Sequence, residues 1–164
     1  MSKHNFWLGI WNYQIVDKAG NIKDEWSCRN ALADEGENNL LDAFFLNANV
    51  PTTFYLRLFN DTPEETDSLS DLTGEPTTGN YSAQEVERSA TGWPTLELDA
   101  GDWQIVSKQV TFLASGGTIG PVTYAVLATS SDNAGKLIAF NALQTARTLL
   151  AGDTLKVTLT LKLQ

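Results

Sequence analysis

The stretch Thr154-Leu155-Lys156-Val157-Thr158-Leu159-Thr160-Leu161-Lys162-Leu163 decides the fold class. Leucine or valine occupies every second position, and threonine or lysine fills the positions between. A period of two places an aliphatic row and a polar row on opposite sides of the backbone, which is the pattern of a half-buried β-strand. Ala151-Gly152-Asp153 immediately ahead is a turn signal. Strand character recurs in residues 6–16, 22–28, 54–59, 103–113, 122–129 and 136–142, and more weakly in 84–89, which predicts about eight strands. Asp17-Lys18-Ala19-Gly20-Asn21 links the first two as a hairpin loop, with Gly20 free to take a positive φ. Ser115-Gly116-Gly117 and Ser131-Asp132-Asn133-Ala134-Gly135 read as links of the same kind.

One segment departs from the strand period. In residues 30–46, Ala31, Leu32, Leu40, Leu41, Phe44 and Phe45 fall at helical spacings, Asn30 is a candidate N-cap, and Asp34, Glu35 and Glu37 suit the positive end of a helix dipole. Gly36 weakens a helix interior by roughly 1 kcal/mol and points to a start nearer Glu37, while Pro51 lies beyond the end. The expected fold is therefore mainly β: an antiparallel β-sandwich, jelly-roll-like, with one short helix near residues 31–46. The 164 residues make a single domain, with a short mobile arm at about residues 1–6. Residues 60–80 and 90–102 read as two long loops.

Composition narrows the function. Twenty Asp and Glu against eleven Lys and Arg give a net charge of −9, which disfavours a nucleic-acid binder, since phosphate contact needs clustered cations. The single cysteine, Cys28, excludes an internal disulfide and a thiolate zinc site, and reads as a small buried apolar residue. The single histidine, His4, sits in a polar terminal stretch where no triad or metal site is expected to form. No apolar run approaches the ~20 residues of a membrane span, and residues 6–11 are too short for a secretory signal, so synthesis in a cytoplasm is expected.

Four arrangements were weighed for chemistry. Asp61, Glu64, Glu65, Asp67, Asp71 and Glu75 could supply oxygens to a hard cation, but they lack the spacing of an EF-hand loop and read more simply as a solvated acidic loop. A paired-carboxylate hydrolase needs a cleft that a sandwich of this size leaves little room for. Gly116-Gly117-Thr118-Ile119-Gly120 lacks the lysine and the strand-to-helix context of a phosphate loop. Trp7, Trp11, Trp26, Trp93 and Trp103 could form a sugar-stacking platform. The simpler reading of Trp7 and Trp11 is a strand apolar on both faces, in a core or an oligomer interface. Trp93, beside Pro94, is the expected exposed contact residue, and Phe6, Trp7, Trp11 and Trp93 are the candidate protein-contact residues. No catalytic, cofactor-binding or metal-binding residue is expected, and the chain reads as no enzyme.

Leu32-Ala33-Asp34-Glu35-Gly36-Glu37-Asn38-Asn39-Leu40-Leu41-Asp42-Ala43-Phe44-Phe45 resembles a phrase found in small structural proteins of tailed bacteriophages. So does its sequel: a strand like Thr53-Phe54-Tyr55-Leu56-Arg57-Leu58-Phe59, then an acidic Pro-Thr loop as at residues 61–71. Gln109-Val110-Thr111-Phe112, Gly120-Pro121-Val122-Thr123-Tyr124-Ala125-Val126 and Arg147-Thr148-Leu149-Leu150-Ala151-Gly152-Asp153-Thr154-Leu155 continue the order, which covers about residues 30–163. The Trp-rich opening over residues 6–28 departs from the usual pattern. The resemblance implies a non-catalytic virion building block, often trimeric, made in the host cytoplasm, without cofactors, nucleic-acid contacts or membrane contacts. It leaves two placements open. One is a capsid cement (decoration) protein on the outer head surface, with the major capsid protein as partner. The other is a tail- or fibre-associated protein with a host-receptor or glycan-binding role. On the cement placement the arm and the two long loops are the expected gripping elements, and on the fibre placement Trp93 or its neighbours are expected to bind sugar.

Overall fold

A computed structural model describes residues 7–162, with side chains from residue 9 onward. The expected arm and Phe6 lie outside the described residues, as does the side chain of Trp7. The chain is mainly β, antiparallel throughout, with one short α-helix, and its sheet curls into a half-barrel. Ten strands follow in order: β1 (Trp7–Val16), β2 (Ile22–Leu32), β3 (Thr53–Phe59), β4 (Gln84–Glu87), β5 (Thr95–Asp99), β6 (Asp102–Val106), β7 (Val110–Leu113), β8 (Ile119–Ala128), β9 (Leu137–Leu149) and β10 (Thr154–Lys162). The helix α1 (Asp34–Leu41) runs directly into a π-helical turn, Asp42–Leu46.

The sheet order is β4-β3-β8-β9-β2-β1-β10-β6-β5. The alternating strand β10 is central, pairing β1 along one edge through Trp11↔Leu159 to Val16↔Thr154. Its other edge is shared: β7 pairs with Thr154–Val157 and β6 with Thr160–Lys162. The single strand expected over residues 103–113 is thus two strands. At the break Ser107 donates its N–H to Leu159 O at 2.8 Å and accepts from Leu159 N–H through its hydroxyl at 2.9 Å. The expected loop at residues 90–102 contains β5, which forms a hairpin with β6.

The β1–β2 and β8–β9 hairpins form at the expected links. Asp17 closes the first by accepting from Ala19 N–H and Asn21 N–H, and Gly20 takes φ +89°. The link at Ser115-Gly116-Gly117 does not make a hairpin, because β7 pairs with β10 while β8 pairs with β3 and β9.

The concave face carries the main core: Trp11, Tyr13 and Ile15 of β1, Leu56 and Leu58 of β3, Phe112 of β7 and Leu155, Val157 and Leu159 of β10. The outer face of β1 carries Ile10, Asn12 and Gln14, with Ile10 and Asn12 exposed, so from Ile10 to Gln14 this strand is buried on one face only. A second, smaller cluster lies on the opposite face of β3, β8 and β9. There Phe59, Val126, Ala128, Leu137 and Phe140 are covered by Leu69 and Leu72 from residues 60–80.

The acidic loop is therefore packed rather than free. Its acids fold it on itself: Asp61 accepts from Gly74 N–H, Asp67 from Glu64 N–H, and Asp71 from both Ser68 N–H and its hydroxyl. Arg57, fully buried on β3, clamps it by a bidentate pair with Glu75 and by bonds to Asp132 O and Asn133 Oδ1. Among the described residues no group of three or more His, Cys, Asp and Glu side chains is placed to hold a metal ion. No helix among them is long and apolar enough to cross a membrane.

Candidate interaction surface

The helix occupies a shorter span than its apolar spacing implied. Asn30, Ala31 and Leu32 belong to β2, where Ala31 and Leu32 pair with Phe140 and Ala139 of β9. Asn30 is fully buried, and the N-cap position falls to Ala33 with no side-chain cap. A ladder of interstrand bonds outweighs the helical spacing at those three residues, since helix propensity is a weak term against tertiary pairing. Ala33 N–H donates to Ile138 O at 3.0 Å and Asp34 N–H to Glu65 O at 2.8 Å, so α1 starts anchored to β9 and to the packed loop.

Glu35 fastens the first turn. Its carboxylate accepts from Leu137 N–H at 2.8 Å, Leu69 N–H at 3.1 Å and Lys136 Nζ at 3.0 Å. Burial alone raises its pKa, but these hydrogen bonds and the Lys136 charge outweigh it and hold the carboxyl below the usual glutamate range. Gly36 sits against β9 so closely that a Cβ there would lie 2.1 Å from Ile138 O.

The result is a helix packed with its polar side inward. The buried residues of α1 are Gly36 and Asn39, and the π turn buries none. Its apolar residues face out: Leu40 and Leu41 are about half exposed, and Phe44, Phe45 and Leu46 are 79%, 72% and 70% exposed. The π turn closes with Ala48 N–H on Asp42 O and Asn47 in the left-handed region at φ 50°. A wider π turn carries an extra residue per turn, which brings Phe44, Phe45 and Leu46 to the surface together. Phe44 and Phe45 meet edge-to-face, 5.0 Å between centroids.

Facing this turn across a groove of about 530 Å³ is the β5–β6 hairpin. Leu98 lies opposite Trp103 and Leu96 opposite Ile105, so one side of the hairpin is apolar. Leu96, Leu98 and Trp103 are each more than half exposed. Phe54, Leu127, Ile138 and Leu161 line the groove between, along with Leu40, Phe44, Leu96 and Trp103. The charged residues that line it are Arg88 and Lys162, with no Asp or Glu. Lys162 pairs with Asp99 at 3.1 Å and Asp102 at 3.7 Å on the hairpin, whereas Arg88 makes no ion pair among the described residues.

Two of the contact residues expected from the sequence lie in the interior. Trp11 is fully buried in the main core, and Trp93 is 9% exposed, with its ring edge-on to Phe54 at 6.1 Å. Trp93 is drawn in because residues 89–93 close on themselves, Trp93 N–H donating to Ser89 O, and Lys108 N–H fixes Gly92 O. Trp7 pairs with Ala31 in the β1–β2 ladder. Trp26 is stacked on Tyr13 at 5.0 Å with Arg147 over its other face at 4.1 Å, so it offers no free platform. Cys28 is only half buried, and burial pushes its thiol above its ordinary value against the Gln144 hydrogen bond and the Arg147 charge. Among the tryptophans whose side chains are described, Trp103 is the one that stands open. The sequence signal for this face was present in Leu40-Leu41-Asp42-Ala43-Phe44-Phe45-Leu46: too many large apolar residues for one short helix to bury on a single stripe.

Residues 31–162 match the family described as podophage GP4 fiber I protein gp80. The chain belongs to this family. It is a bacteriophage virion structural protein. The matched region takes in α1, the π turn and the β5–β6 hairpin, so the whole apolar face lies inside it. It leaves out most of the β1–β2 hairpin, the Trp-rich opening that already departs from the phage phrases. No curated protein matches the chain.

Proposed function

We propose that this protein is a non-enzymatic, fibre-associated component of a phage tail, built into the particle through its apolar face. The observation that carries the reading is the match of residues 31–162 to a family described by a fibre protein. The geometry agrees with an assembly subunit. The exposed side chains of Leu40, Phe44, Leu96 and Trp103 gather around one groove, and a contiguous apolar patch of this kind marks an interaction site. Asp61, Asp67, Asp71 and Glu75 serve turns and the Arg57 clamp, which gives these four acids of the loop a structural role. A homo-oligomer, a trimer on the expectation above, is the assembled form in this reading.

The head-surface alternative, with the major capsid protein as partner, uses the same fold and differs in copy number and position. Quantitative mass spectrometry of purified virions, with an antibody label viewed by electron microscopy, tests the choice. The fibre reading expects label at the tail and a copy number that is a small multiple of the tail symmetry. Label spread over the head, with copies scaling with capsomers, overturns it in favour of a cement role.

A further inference from the structure

We propose that the groove between α1 and the β5–β6 hairpin binds a single-tailed fatty acid, with its chain in the groove and its carboxylate on Arg88. Such a site is independent of the fibre reading, since it concerns a small molecule and not the assembly. The grounds are where the groove lies, which of its polar groups are already bonded, and charge.

The groove opens onto the main core of the half-barrel. Leu127 and Ile138 on its floor are buried members of that core, and Phe54 and Leu161 pack against it. Leu40 and Phe44 stand on one side and Leu96 and Trp103 on the other, all about half exposed or more. Its volume of about 530 Å³ falls within the roughly 300–1,000 Å³ of small-molecule sites. Such sites favour the mouths of β-barrels and pair an apolar lining with a few placed polar groups. The hairpin joins the sheet at Gln104, Ile105 and Val106, so a chain lying between it and α1 ties down a lightly held wall.

The polar groups select the ligand. Asn39 Nδ2 donates to Asn49 O at 2.8 Å, and Gln104 Nε2 donates to Glu97 Oε1 at 2.8 Å. Lys162 is held by Asp99 and Asp102. Arg88 is exposed, lines the same groove, and its side chain has no ion pair or hydrogen bond among the described residues. The protein carries nine more acids than bases, yet no Asp or Glu lines this groove. A peptide or a sugar brings many polar groups, and each one buried without a partner weakens binding. An alkyl chain brings none, and a carboxylate is the group that a guanidinium takes in a two-pronged pair. The single unpaired cation of the lining matches a single anionic head, hence a single-tailed acid.

The test is calorimetric titration of the full-length protein with decanoate, hexanoate and decanol. Decanoate is expected to saturate at one molecule per chain and to raise the thermal midpoint by a few degrees. Each buried CH₂ tightens binding about four-fold, so hexanoate, shorter by four of them, is expected to bind about 100-fold more weakly or worse. Arg88→Gln is expected to weaken decanoate about ten-fold and to leave decanol unchanged. Arg88 is exposed, so the change leaves the core intact. Vesicles containing phosphatidylglycerol offer the two-tailed source of the same chemistry and are expected not to carry the protein down on sedimentation. The proposal is overturned by an absence of saturable binding up to about 1 mM decanoate, or by hexanoate binding as well as decanoate. It is overturned equally by an Arg88→Gln variant that binds decanoate as the wild type does, or by sedimentation with the vesicles, which would put a membrane surface on Arg88. Assembled fibres that refuse decanoate would show the groove filled by protein, and that result also overturns it. None of these outcomes bears on the tail-versus-head copy count, so failure here and failure of the fibre reading are separately visible.

Discussion

At the scale of single residues, Gly36 and Glu35 hold the face in place. A Cβ at position 36 would meet the Ile138 carbonyl, which is backbone and cannot swing aside. The gain of about 1 kcal/mol in helix propensity from Gly36→Ala is therefore outweighed by overpacking of about 1–3 kcal/mol. Thermal unfolding of the variant is expected a few degrees lower than that of the wild type; a higher midpoint would show that the helix has room to move. Glu35 supplies a pH dependence. Its pKa is depressed in the fold, so its stabilisation is complete above the ordinary glutamate value of about 4.3 and disappears as the pH falls through the lower folded value. Glu35→Gln is expected to lower the urea midpoint at pH 7, with the gap to wild type closing toward pH 3. An equal gap at both pH values would mean that the carboxylate charge contributes nothing.

At the scale of elements, the long hairpin β8–β9 and the short hairpin β5–β6 behave differently. The first is paired along most of its length, with β3 also on β8, and is buried on both faces over Ala125–Ala128 and Leu137–Asn141. The second joins the sheet only through Gln104, Ile105 and Val106 on β10 and leaves its apolar side open. Amide hydrogen exchange in dilute protein is expected to be much faster over residues 95–106 than over residues 122–128 and 137–143. Most elements were readable from residue type alone. Alternation located β10, β1 and β3, and Asp17-Lys18-Ala19-Gly20-Asn21 located the first turn, because period and turn chemistry are local properties. The breaks were not readable. Residues 103–113 split because two short strands share one edge of β10, and Asn30 to Leu32 joined a strand because β9 offered a partner.

At the scale of the whole molecule, charge and apolar surface oppose each other. In the proposed homo-oligomer, copies that each carry −9 repel, while apolar surface brought together favours contact. Raising the salt from about 10 mM to about 150 mM shortens the Debye length from about 30 Å to about 8 Å, which removes most of the repulsion and leaves the hydrophobic contact. The oligomeric fraction is expected to rise over that range in sedimentation experiments. A fall would mean that ion pairs at the rim, and not burial, hold the copies together.

The sequence by itself determined the class of fold, the existence of a short helix ahead of a β-rich body, and the acidity. These follow from periodicity and composition, which need no knowledge of neighbours. Only the tertiary structure decided which apolar residues are core and which are surface. Trp11 read as either core or contact, and the packing placed it in the core; Trp93 read as exposed, and a closed loop buried it. Phe44 and Phe45 read as part of the apolar stripe of a helix. Gly36, Glu35 and a π turn rotated them outward. Burial is set by how elements are oriented against one another, and that orientation rests on contacts such as Gly36 to Ile138 and Glu35 to Leu69, between residues far apart in the chain.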